Sequence, residues 1–101
     1  MAGQIQVNYE EMRGIIQRMK SSQQEVEQIY RATKQKVDAL HANQWIGKGS
    51  DQFFREMEER VLPGLRRLAA AFGTAAERAQ KICDTIRQAD ESTKSFFSNL
   101  A

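Results

Sequence analysis

The chain has 101 residues, 41% hydrophobic and 28% charged, with one proline and six glycines, which suits a single helical domain and excludes a disordered chain. Fifteen basic and thirteen acidic residues leave a net charge of +2, and no basic face is patterned beyond the pair Arg66-Arg67, so no nucleic-acid partner is expected. The longest apolar run, Leu68 to Phe72, is far short of the roughly 20 residues a membrane span needs. The opening MAGQIQVNYEE has neither a basic start nor an apolar stretch, so no conventional secretory signal is expected, and on these grounds alone the chain reads as cytosolic. Cys83 stands alone, which rules out an internal disulfide and leaves a small, partly buried side chain or an intersubunit bridge.

The first predicted helix spans about 8–42. Asn8 is its N-cap, Glu11 completes a capping box, and Glu10 adds negative charge where the helix dipole favours it. Met12, Ile16, Met19, Gln23, Val26, Tyr30, Thr33, Val37 and Leu40 then follow at alternating steps of four and three, which is a heptad seam. Ile15 and Ile29 widen the stripe on one side.

A turn is expected over 43–49. Gly47 follows the helix end where a left-handed residue is needed, and Gly49 supplies a second bend before a cap at Ser50. Trp45, the only tryptophan, is placed to fold over the open end of the hairpin or across onto a partner.

The second predicted helix spans about 50–95, with a tail at 96–101. Its seam runs through Phe54, Met57, Val61, Leu65, Leu68, Phe72, Ala75, Ala79, Ile82 and Ile86, with Phe53 beside Phe54. The alternation slips once, between Val61 and Leu65, beside Pro63-Gly64. Either a kink near 63 or two separate helices accounts for it. Glu27–Arg31, Glu56–Arg60 and Glu77–Lys81 are spaced to pair on exposed faces.

The fold class is therefore all-α, an antiparallel helix-turn-helix hairpin. Its stripes are wider than one neighbouring helix can cover, so two hairpins are expected to join into an elongated four-helix bundle. Catalysis is not expected. His41 and Cys83 fall many turns apart, no ligand cluster suits a metal or cofactor, and the GKGS stretch lacks the spacing of a phosphate loop.

Trp45-Ile46-Gly47 at mid-chain between two long helices, followed by Gly49 and Phe53, resembles the WXG family of small secreted proteins, those similar to the early secreted antigenic target. The resemblance covers the whole chain. It implies head-to-tail dimers, formed with itself or with a paralogous WXG-type chain, that are substrates or adaptors of a type VII secretion ATPase. It also implies export without a cleavable signal peptide, which reverses the cytosolic reading. Family members or their partners carry a C-terminal tyrosine followed four residues later by an acid. The matching place here is Ile86 to Asp90, where isoleucine replaces the tyrosine, so the pair is either a degenerate secretion signal or a seam residue beside a solvated acid. Two other readings are a membrane-active hairpin, against which the mixed charge of the polar faces speaks, and an intracellular coiled-coil module.

Overall fold

The computed structural model describes residues 8–43 and 47–100. Helix α1 spans Tyr9–Ala42, α2 spans Lys48–Glu56, a π-helical turn spans Met57–Val61, and α3 spans Leu62–Leu100. The described residues contain no strand. The three helices make two long arms of a hairpin with extents of 80 × 20 × 17 Å.

The start of α1 forms as its sequence dictates. Asn8 is extended, its side-chain oxygen accepts from the Glu11 N–H at 3.0 Å, and its carbonyl accepts from the Met12 N–H at 3.0 Å. At the other end the Asn43 N–H donates to the Ala39 carbonyl at 3.0 Å. Helix α2 begins at Lys48, three residues earlier than a Ser50 cap would place it, because Gly47 caps it instead. The Gly47 carbonyl accepts from the Asp51 N–H at 3.1 Å and from the Ser50 hydroxyl at 2.7 Å. Ser50 is consequently buried inside the first turn.

The slip in the second arm has a structural answer. Inward residues of α3 recur every seventh position, at Leu62, Ala69, Ala76 and Cys83, whereas Phe54 lies eight positions before Leu62. One surplus residue must be absorbed between them. The π-helical turn absorbs it, with the Leu62 N–H donating five residues back to the Met57 carbonyl. Its position also suits Pro63, whose ring would press on the Glu59 carbonyl if the α-helical register were kept. The helical path then continues through 96–100, where a tail was expected, and ends at Leu100.

Four contacts set the antiparallel register. Tyr9 meets Asp90 and Arg87, Gln23 meets Gly73, Tyr30 meets Arg66, and His41 meets Phe54. Each step forward on α1 is thus about one step back on α3. The core between the arms is a single file of Ile16, Val26 and Val37 against Phe54, Leu62, Ala69, Ala76 and Cys83. Small residues on α3 let the bulkier file of α1 approach closely.

Among the described residues, the ion pair that closes is Lys34–Asp38 at 2.9 Å, rather than the three pairs expected at Glu27, Glu56 and Glu77. Exposed pairs at this spacing gain little over hydration, so either arrangement costs almost nothing.

Candidate docking faces and the turn

The hairpin has two unlike flanks. On α3, the residues four beyond an inward position are Arg66, Gly73 and Arg87, and these meet Tyr30, Gln23 and Tyr9 of α1. The Arg66 guanidinium lies 5.0 Å from the centre of the Tyr30 ring, and that of Arg87 lies 5.7 Å from the Tyr9 ring. A groove of about 520 Å³ runs along this flank between Lys20, Gln23, Gln24, Glu77, Gln80 and Lys81. On this side charged and amide side chains rim a floor of small residues, Gly73 and Ala76, and the flank holds its own contacts between the arms.

The opposite flank is apolar and open. On α3 it is reached one residue before each inward position, at Val61, Leu68, Ala75 and Ile82, and on α1 it carries Ile15, Ser22 and Ile29, spaced seven apart. Because the arms run antiparallel, these positions lie on the same side of the hairpin. Val61, Leu68, Ile82, Ile15 and Ile29 are all exposed, and so is Leu40 near the turn. Met12, Met19, Leu65, Phe72, Ala79 and Ile86 are half-buried beside them. A burial of apolar surface on this side would contribute about 25 cal/mol per Å² removed from water.

The seam read from the sequence thereby divides. Ile16, Val26, Val37 and Phe54 are buried between the arms. Met12, Met19, Tyr30, Phe53, Met57, Leu65, Phe72 and Ile86 are half-buried at its edges, while Leu40, Val61, Leu68 and Ile82 face outward. Periodicity missed the inward file Leu62, Ala69, Ala76 and Cys83, although its strict spacing of seven was available as a signal. Cys83 is fully buried against α1, which removes it from the reach of an intersubunit bridge.

At the turn end, His41 packs on Phe54 with ring centres 3.7 Å apart, and Phe53 meets Phe54 edge-on at 5.4 Å. Gly47 takes φ 138° and ψ 173°, a region that only glycine enters without strain. Its conformation is extended with positive φ, not left-handed helical. Gly49, expected at a second bend, lies in the first turn of α2. Trp45 and Ile46 lie outside the described residues.

At the open end, the Tyr9 hydroxyl donates to Asp90 at 2.5 Å. That hydrogen bond, with smaller contributions from desolvation and the Asp90 charge, pushes the Tyr9 pKa up to about 12. Asp90 thus has an aromatic partner, supplied by α1. Ile86 is half-buried one turn away on its own helix. Beyond Asp90, α3 continues without α1 beside it, and Phe96, Phe97 and Leu100 are exposed there.

A central turn glycine, two long arms and one bare apolar flank belong together in a known group. Residues 4–91 match the family described as proteins of 100 residues with WXG. The chain belongs to the WXG100 family. Comparison with curated proteins and with solved structures returned no match. WXG100 proteins are small, non-enzymatic helical proteins secreted through type VII systems, and they commonly pair with themselves or with paralogues. Among the described residues of this WXG100 chain, no group of His, Cys, Asp or Glu is placed to hold a metal ion, and no helix is long and apolar enough to cross a membrane.

Proposed function

We propose that this WXG100 chain is a substrate or adaptor exported by a type VII secretion system as a folded helical dimer, with the membrane ATPase of that system as its export partner. The observation that carries the reading is the family match over residues 4–91, on a hairpin whose apolar flank is left uncovered by its own arms. Covering that flank with a second hairpin makes a four-helix bundle and removes Leu68, Ile82, Ile15 and Ile29 from water. The chain acts through surfaces and catalyses nothing.

The same reading gives Ile86 and Asp90 a role as a degenerate export signal. Support comes from the Tyr9 hydroxyl on Asp90, which sets an aromatic ring against the acid although residue 86 is isoleucine. The pair also lies where α3 leaves the hairpin, so it is within reach of an export component.

Fractionation of the producing culture tests this. The protein is expected in the medium of cells with an intact type VII system and inside cells whose secretion ATPase is disrupted. Export that persists without the ATPase would overturn the reading. Within the same assay, Asp90→Ala is expected to lower export while leaving the protein folded and abundant in the cells.

A further inference from the structure

We infer that the flank carrying Gln23 and Arg66 is a docking groove for an extended, acidic segment of another polypeptide. The inference stands apart from the export reading. This flank lies opposite the apolar one and stays in water when that one is covered.

Three hollows on this flank share residues and run end to end. The groove of about 520 Å³ between Lys20, Gln23 and Lys81 meets, at Gln23, a second of about 380 Å³ that holds Tyr30, Arg31 and Arg66. Arg31 in turn borders a third, of about 330 Å³, beside Lys34. On α1 the lining residues Lys20, Gln24, Glu27, Arg31 and Gln35 follow at steps of four and three, so they form one stripe of the helix.

Charge on the groove falls into two clusters. Lys20 and Lys81 stand at one end, Arg31 and Arg66 towards the other. Lys34 lies beyond them and already holds Asp38 at 2.9 Å. The remaining carboxylates are Glu77 at the first end and Glu27 between the clusters. Among the described residues neither these two acids nor the four cations form an ion pair. Unpaired cations thus outnumber unpaired acids, which favours a negatively charged occupant. The Arg66 guanidinium, 5.0 Å from the centre of the Tyr30 ring, is already ordered for a carboxylate. A nucleic acid fits less well, because its evenly spaced phosphates would meet Glu77 and Glu27 among the cations.

The middle of the groove suits extended backbone. Gln23 is half-buried there, and among the described residues its amide makes no hydrogen bond. An amide with both its donor and its acceptor open matches a peptide group, which an extended chain has to offer. A helix bonds its own main chain and would cover Gln23 without satisfying it. Gly73 and Ala76 on the floor carry nothing larger than a methyl group, so a backbone can come close. Lys20 and Arg31 are roughly 16 Å apart along α1, a span that an extended chain covers in about five residues.

The probe for this is a fluorescein-labelled peptide with paired glutamates at each end of a Ser-Ala spacer of about four residues. Its anisotropy with the full-length chain should show saturable binding that weakens with salt. Lys20→Glu with Arg31→Glu should lower the affinity about tenfold or more. Arg18→Glu with Arg78→Glu makes the same change of net charge away from the groove and should alter it by no more than about twofold. All four positions are exposed, so neither pair touches the core. A second readout needs no variant: in nitrogen-edited NMR spectra of the wild type, the Gln23 side-chain amide should shift as peptide is added. Absence of saturable binding, an unmoved Gln23 amide, or equal losses in the two charge-reversed pairs would overturn the proposal. So would a single-stranded oligonucleotide of the same charge that binds as tightly as the peptide.

Discussion

The side-chain amide of Gln23 rests against Gly73 so closely that a Cβ at residue 73 would lie 2.7 Å from Nε2 of Gln23. A polar residue in the middle of the α1 seam thus sits over a residue with no side chain in the middle of α3. The two features, each unfavourable by itself, are one arrangement.

That coupling is measurable. Alanine at 73 gains up to about 1 kcal/mol of helix propensity, but Gln23 must first swing aside. The amide is the far end of a flexible side chain, so Gly73→Ala is expected to stabilise the hairpin by only a few tenths of a kcal/mol. In a Gln23→Ala background the full gain of about 1 kcal/mol should appear. Urea denaturation of the four variants gives the coupling, and equal gains in both backgrounds would show that the contact is energetically silent.

The π-helical turn makes an opposite pair of predictions about chain length. Removing Glu58 together with Pro63→Ala brings Phe54 and Leu62 to a separation of seven and permits one continuous α-helix. This variant should unfold at a higher temperature than the wild type. Adding one alanine after Glu58 should turn Phe54 away from the core and cost about 1.5–3 kcal/mol, the value of burying such a side chain. Thermal unfolding followed by circular dichroism separates them; losses of similar size for both would mean that the surplus residue is not what the turn absorbs.

The Tyr9–Asp90 contact has a spectroscopic signature. The phenol is neutral when protonated, and its pKa is raised in the folded state from 10.0 to about 12. The contact therefore stabilises the fold fully below about pH 10 and loses that contribution as pH rises towards 12. Absorbance at the phenolate band should show Tyr9 titrating near 12 in the wild type and near its ordinary value in Asp90→Ala, with Tyr30→Phe used to assign the signal. An unchanged titration in Asp90→Ala would mean that the hydroxyl is not held by Asp90.

Inward and outward files of α3 should respond differently to substitution. Ala76→Leu forces a large side chain between the arms and should cost about 1–3 kcal/mol at every protein concentration. Ile82→Asp touches only the uncovered flank. Its effect should be confined to the concentration-dependent part of unfolding, seen by comparing melts over a hundredfold range of concentration. A concentration-independent loss in Ile82→Asp would place residue 82 in the core of the hairpin.

The sequence by itself determined the two helical arms, the cap at Asn8, the central break with a glycine at its end, and the slip beside Pro63. Each of these follows from local chemistry: a side chain that caps an N–H, a φ that only glycine adopts, a ring that lacks a donor. It also carried the family, because the Trp-X-Gly turn sits midway between arms of the right length. What only the tertiary structure decided is which face of α3 turns inward. Its apolar stripe is wide enough for two orientations, and periodicity favours the file with the larger residues. The hairpin takes the smaller file, Leu62, Ala69, Ala76 and Cys83, because those side chains let α1 come close enough to bury Ile16, Val26 and Val37. That choice depends on matching shapes across two helices far apart in sequence. Leu68 and Ile82 are left outward as its consequence.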